Sequence, residues 1–503
     1  MVETIVLNST LSLIRLLNQT YPMTKFRTFT LLSMGLCTGV LSTIGITAYA
    51  EKQSQPLPLM EIRQFTSAFN AIKDFYVDDV SDAKLLQSAL EGMVSGLDPH
   101  SSFLDVDGYK DMAESTQGSF GGLGLEVTKD SAGVRVISPI DDTPAAKAGM
   151  RAGDIITRID GKSIADMSLN AAVKLMRGEP NTKIELQVAR KGAQKPLTFN
   201  LTRAIIRIQS VKMKLIGEDL GYIRISQFQE RTTEDLANYL NELDKNKHLS
   251  GLVLDLRNDP GGLLQAAIGV SAAFLPKGTT VVSTKGRKSQ SDYTFTASEA
   301  DYRSGNAIKA LASLTPQAKH VPMVILINSS SASASEIVAG ALQDHKRATI
   351  MGDRSFGKGS VQTILPMRFG DKTVAVKLTT ARYYTPSGKS IQARGISPDI
   401  YVDDTPKGNY PSFQIRESDL THHLQNQEDG LDEEKALQQL PYDGDETEIP
   451  DYQYMFGDDK DWQLQQAIRY LKGQKVEASP YRGKPRDLVK KLKAAEKLTP
   501  KPH

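Results

Sequence analysis

The sequence predicts a multidomain α/β chain in which a small β-rich module joins a mixed α/β core, with helical segments before and after. Three observations predict it. The 503 residues exceed what one hydrophobic core organises, at about 100 to 200 residues per domain. Glycine-rich turns and short apolar runs crowd residues 117–204, the pattern of a β-rich module. Two buried-type strands further on, Leu252-Val253-Leu254-Asp255-Leu256 and Met323-Val324-Ile325-Leu326-Ile327, each lead through a turn into an apolar helix. That repeat implies a partly parallel sheet whose strand ends share one rim, where a site belongs.

Composition narrows the function classes. The 61 Lys plus Arg nearly balance the 59 Asp plus Glu, which argues against a nucleic-acid partner. Hydrophobic residues at 40% and charged residues at 24% are ordinary globular values, unlike those of a disordered or multi-span membrane chain.

Residues 1–50 read as a signal region. From Met23 come Lys25 and Arg27, the apolar run Leu31 to Ile46, and then Ala48-Tyr49-Ala50, which together make a secretory signal peptide. The expected start is Met23, with cleavage after Ala50 and a periplasmic location; Met1 to Pro22 does not fit a signal. Left uncleaved, the apolar run approaches the length that spans a bilayer, the chain's one expected contact with a membrane. The single cysteine, Cys37, lies inside this run, with Leu36 where a lipoprotein signal needs a small residue. The mature chain then has no cysteine, which excludes disulfides and thiol catalysis.

Residues 51–116 read as a helical segment, with Phe65, Phe69, Ile72 and Phe75 and then Leu85, Leu86, Leu90 and Val94 at helical spacing. Leu97-Asp98-Pro99-His100 breaks it, and His100, in a turn after proline, reads as a solvated or capping side chain without a role. Residues 117–204 carry Gly118, Gly121, Gly122 and Gly124, the strand Val134 to Ile137, and the run A-x-x-A-G-x-x-x-G-D-x-I from Ala145 to Ile156. This module resembles a PDZ domain of the type carried by bacterial periplasmic proteases. The resemblance implies that the backbone of Leu123, Gly124 and Leu125 receives the carboxylate of a peptide C-terminus, the peptide adding as a strand to the sheet edge.

Residues 205–404 form the α/β core, and several mechanisms are missing from it. There is no H-E-x-x-H for a zinc protease and no G-x-S-x-G elbow. His345 lies about three helical turns beyond Ser333, too far to be its base. The segment Ser329 to Glu336 puts serines between a buried strand and a helix, where an exposed Oγ would meet helix N-terminal amides able to hold an oxyanion. Ser333 with Glu336 three residues on is equally a capping box. The second loop, Phe356-Gly357-Lys358-Gly359-Ser360-Val361-Gln362, offers a base. A lysine ringed by small residues and apolar strands can be buried and lose its proton, at a desolvation cost of roughly 4 to 5 kcal/mol for a pKa near 7.

The run Ser333 to Asp344 followed by Gly352 and Ser355-Phe356-Gly357-Lys358-Gly359 closely resembles the carboxyl-terminal processing peptidases, or tail-specific proteases. The resemblance extends over about Leu59 to Asp404 and includes Gly96 to Ser102. It implies a Ser-Lys dyad of Ser333 and Lys358, with Gln362 orienting the lysine and Glu336 in support. It further implies an oxyanion hole from the backbone N–H groups of Ala334 and of Gly262, the latter in the turn Asp255-Leu256-Arg257-Asn258-Asp259-Pro260-Gly261-Gly262. Two other patterns overlap the lysine loop. Gly352 to Lys358 imitates a phosphate-binding loop, but Gly359 stands where a magnesium-binding Ser or Thr belongs. Ser355-x-x-Lys358 imitates the β-lactamase pair, whose partner motifs are missing.

The polar stretch Ser283 to His320 is longer than the resembled family needs and its path is open; the tail after Asp404 carries no motif. Residues 405–503 read as a charged helical or mobile tail around Trp462, Ile468 and Leu471. The expected protein is an exported serine endopeptidase needing no cofactor, metal or ATP. Its partners are proteins or peptides with apolar C-termini, with an adaptor or self-association left open. The competing expectation is a catalytically silent peptide-binding or chaperone protein on the same scaffold.

Overall fold

The computed structural model describes residues 58–140, 142–246, 249–287, 291–406, 408–409, 415–426 and 457–479. The signal region and the end of the tail, residues 480–503, lie outside them. The chain divides into two compact units, Met1–Gln87 and Ser88–His503. In the first, helix α1 (Leu59–Phe75) ends where the Tyr76 N–H closes on Ile72 O, and its Leu59, Phe65 and Ile72 are exposed. Lys73 pairs with Asp82 at 2.7 Å, the residue that opens helix α2 (Asp82–Ser95).

In the second unit, β1 (Ser102–Leu104) leads to α3 (Val106–Gln117), which the Asp105 carboxyl caps by accepting from Gly108 N–H. Gly118, at φ 69°, turns the chain out of that helix into β2 (Ser119–Gly122); this left-handed conformation is one glycine adopts without a Cβ penalty.

The β-rich module follows as β3 (Leu125–Asp130), β4 (Gly133–Pro139), β5 (Ile155–Ile159), β6 (Lys162–Ser163), helix α4 (Leu169–Met176), β7 (Lys183–Ala189) and β8 (Leu197–Thr202). The antiparallel order β3-β4-β5-β7-β8 leaves β3 at an edge. Alternation dictates its core: Ile184, Leu186 and Val188 of β7 point inward at period two and meet Val134, Val136, Ile156, Ile159 and Ala172. β9 (Ala204–Arg207) returns to pair with β2, so the module's entry and exit close on each other.

The core domain is a sheet of β10 (Val211–Ile216), β11 (Leu220–Ile225), β12 (Gly251–Asp255), β15 (Met323–Ile327), β16 (Thr349–Gly352) and β19 (Ile400–Tyr401). Only β10 is antiparallel; the rest run parallel, with Asp255 beside Leu326 and Ile327 beside Gly352. One face packs against α5 (Thr232–Asn246), α6 (Leu264–Ala272) and α7 (Ala334–Asp344) through Leu236, Leu240, Ile268, Ile337 and Val338. The other is covered by α8 (Trp462–Leu471), whose Leu464 and Ala467 meet Tyr222, Val253, Val324 and Met351. The segment expected as a charged helical or mobile tail therefore supplies a buried helix. Its apolar spacing was legible, but not its destination. A second sheet joins β1, β13 (Thr280–Gly286), β14 (Tyr293–Thr296), β17 (Ser360–Phe369) and β18 (Lys372–Tyr384), which settles the path through Ser283.

Candidate active site

Parallel strands end on the same side, so three loops meet at one rim: the Arg257–Gly262 turn after β12, the serine loop after β15 and the lysine loop after β16. Backbone bonds lock them together. Ala332 N–H donates to Asp259 O at 2.9 Å and Phe356 N–H to Ser331 O at 3.0 Å. The serines divide by use: Ser331 donates to Leu256 O, Ser335 to Asp259 O and Ser355 to Glu336 Oε1. Ser331, Ser335 and Ser355 are fully buried, whereas Ser333 keeps 8% exposure. Ser333 also stands at φ 56°, ψ −109°, a strained backbone that an ordinary N-cap in the β region does not need.

Glu336 ties the two key loops together. One oxygen, Oε2, accepts from Ser333 N–H at 2.8 Å and from Lys358 N–H at 2.9 Å. The other, Oε1, accepts from Ser355 Oγ at 2.6 Å and Gly357 N–H at 2.7 Å. Burial pushes the carboxyl up to about 7, against the pull of these four hydrogen bonds. Ser355, spent on Glu336, is thereby removed as a rival nucleophile.

Lys358 is partly buried, and burial with the like charge of Lys377 lowers its ammonium to about 8, against the opposing pull of Glu417, Glu336 and Asp98. Among the described residues no hydrogen bond joins Ser333 to Lys358 or Gln362 to Lys358. Gln362 Nε2 instead donates to Ser360 Oγ at 3.0 Å and Thr379 Oγ1 at 3.1 Å. Catalytic hydrogen bonds often tighten only around substrate.

The glycine turn abuts the serine. A Cβ on Gly261 would lie 2.8 Å from Ser333 Cβ and 2.9 Å from Ala334 N. Gly261 N–H is taken by the Asp259 carboxyl at 2.8 Å, and among the described residues no hydrogen bond occupies the N–H of Gly262 or Ala334. Asp259 is buried, which pushes its carboxyl well above the usual range, and its second oxygen has no hydrogen-bond partner. A neutral acid suits that position.

Some residues the sequence reading passed over stand behind the lysine. Asp98 accepts from Ser101 Oγ at 2.6 Å and Thr379 Oγ1 at 3.0 Å, so the turn that breaks the N-terminal helical segment supports Gln362 through Thr379. His100 is not solvated: its Nε2 lies 2.7 Å from the buried Glu417 carboxylate. The Asp98-Pro99-His100 turn was visible in the sequence; nothing local marked Glu417 or Lys377.

In the β-rich module, Leu123, Gly124 and Leu125 line a cavity of about 100 Å³ together with Phe120, Val173 and Met176. It lies between the free edge of β3 and helix α4. Gly124, at φ 77°, packs where a Cβ would strike Thr143 at 2.2 Å.

Comparison with known proteins identifies the family. Residues 219–402 match peptidase family S41, residues 121–201 a PDZ domain, and residues 32–108 the activating protease CtpB N-terminal domain. A carboxy-terminal-processing protease of Bartonella bacilliformis is 47% identical over 73% of this chain and 82% of its own. The carboxy-terminal processing protease CtpB of Bacillus subtilis is 34% identical over 75% of this chain and 74% of its own. A solved photosystem II D1 C-terminal processing protease shares 34% identity, covering 67% of this chain and 86% of that one, with a TM-score of 0.37. The chain belongs to peptidase family S41: it is a serine peptidase of the carboxy-terminal processing type, carrying a PDZ domain.

Proposed function

We propose that the protein is a periplasmic endopeptidase that takes protein substrates by apolar C-termini and cleaves them with a Ser333–Lys358 dyad, maturing or clearing envelope proteins. The observation that carries this reading is the Glu336 carboxylate, one oxygen of which holds the backbones of both Ser333 and Lys358. Ser333 Oγ attacks the scissile carbonyl as neutral Lys358 takes its proton; Lys358 then gives that proton to the leaving amine. Gln362 positions Lys358, and the N–H groups of Gly262 and Ala334 hold the oxyanion. Water repeats the attack on the acyl-enzyme. A pKa of about 8 for Lys358 suits a base working near neutral pH. Edge strand β3 and the Leu123-Gly124-Leu125 loop receive the substrate's C-terminus, and the apolar lining by Phe120, Val173 and Met176 supports an apolar preference.

The test is cleavage of an unstructured protein with an apolar C-terminus, in chelator and without nucleotide. Ser333→Ala and Lys358→Ala abolish it. Ser355→Ala, which takes one of four hydrogen bonds from Glu336, slows but keeps it. The reading of a silent binding or chaperone protein is favoured by one observation, the missing Ser333–Lys358 hydrogen bond; cleavage by the parent chain that Ser333→Ala removes sinks it.

A further inference from the structure

The segment 415–426 lies beyond the family S41 match, which stops at residue 402, and the sequence offered no motif there. In the structure it straps the back of the lysine loop. Glu417 N–H donates to Phe356 O at 3.2 Å, and Asn426 Nδ2 donates to Gln392 O at 3.0 Å. The Glu417 side chain is fully buried, and its oxygens are divided between two partners. Oε2 meets His100 Nε2 at 2.7 Å, and Oε1 accepts from Gln392 Nε2 at 2.8 Å. Gln392, also fully buried, accepts with its own Oε1 from Gly359 N–H at 3.1 Å. Gly359 follows Lys358 directly, and a Cβ there would stand 2.2 Å from Gln392 N, so the loop rests on Gln392 with no room to spare. A relay of three hydrogen bonds therefore runs from His100 through Glu417 and Gln392 to the residue after the base.

We propose that Glu417 is a positioning residue for Lys358: the 415–426 strap fixes the lysine loop against the His100 turn and brings a carboxylate to bear on the lysine's proton. The inference rests on Lys358 being the general base. A buried carboxylate whose charge reaches an ammonium favours the charged form, as Glu417 does for Lys358, so Glu417 acts in two ways that separate experimentally. It holds the loop in place through hydrogen bonds, and its charge sets the pH at which Lys358 becomes competent. The other charged or titratable groups that act on the lysine are Lys377 on β18, Glu336 on α7 and Asp98 in the turn after α2; His100 meets Glu417 itself, and Arg416 and Asp419 flank Glu417 on the strap.

The experiment is the pH dependence of kcat and kcat/KM for the full chain, Glu417→Gln and Glu417→Ala, each with its near-UV circular dichroism, beside Ser333→Ala and Lys358→Ala. Glu417→Gln keeps the shape and loses the charge, and its rising acid limb is expected at lower pH than the parent's. Glu417→Ala also breaks the relay, and kcat is expected to fall roughly ten- to hundred-fold, as small misplacements of a catalytic group cost, with KM within about twofold. The proposal is overturned if folded Glu417→Gln keeps the parent's limb and Glu417→Ala the parent's kcat. It is also overturned if Glu417→Gln does not fold, which would make the residue structural alone. Should only Glu417→Ala fail to fold, the limb of Glu417→Gln decides. Activity surviving in Ser333→Ala or Lys358→Ala would instead sink the dyad, a separate failure.

Discussion

At the residue scale, Lys358 as the proposed base trades stability for reactivity. Its folded pKa of about 8 lies below the about 10.4 of an unfolded chain. The unfolded state therefore binds more protons between these values, and stability rises with pH across that window. The cost is present in full below about 8. Lys358→Met is expected to abolish turnover and yet raise the melting temperature at pH 7, the gain shrinking as pH climbs toward about 10; scanning calorimetry at both pH values checks it. Turnover of the parent should climb through about pH 8 as the lysine sheds its proton. Lys377→Gln, which removes a repelling cation, should move that climb to higher pH. The residue types of the proposed dyad stand out in the sequence because each needs a particular neighbour: serine before a helix, lysine between glycines. What surrounds Lys358 was not. Lys377, Asp98 and Glu417 arrive from three distant elements, and only the fold sets their distances.

At the scale of elements, the shared rim follows from the buried runs of β12 and β15, apolar at every position but Asp255, which dictate parallel strands covered on both faces. That much could be read from spacing. The second cover could not. α8 carries Asp461 at its N-cap, and Arg257, fully buried, donates to Asp461 Oδ1 at 2.8 Å and Oδ2 at 2.6 Å. Arg257 also donates to Asp255 Oδ1 at 2.9 Å. Burial would push Asp255 up, but Arg257 and Arg224 hold it at about 2. Its contribution to stability is thus present above about 4 and lost as pH falls through about 2. Arg257→Ala strands two buried carboxylates and should cost about 3 to 5 kcal/mol, read as a lowered urea midpoint. Leu256-Arg257-Asn258 looked like part of a turn motif; its arginine is the clasp for a helix that begins beyond 200 residues later, and no local pattern announces such a pairing.

At the scale of the molecule, a β-rich module whose sheet ends at β3 on one side precedes a peptidase core whose rim carries the proposed reactive side chains. The glycine-rich turns and the A-x-x-A-G run made the module readable in sequence, since tight turns restrict residue choice more than packing does. Leu123→Asp, which forces a carboxylate into the place of a buried core side chain at the base of the binding loop, should disturb that loop and slow cleavage of tailed substrates at least roughly tenfold and leave untailed ones unchanged; equal rates for both would end the case for selection by this module. The dependence of the core on α8 has a further consequence in time. Asp461 follows Arg257 by 204 residues, so a chain emerging N-terminus first presents the serine and the lysine well before the sheet gains its second cover. Until then a buried arginine lacks half its counter-charge and an apolar sheet face lies open. The second cover of the sheet therefore becomes available only after the whole reactive rim has been made.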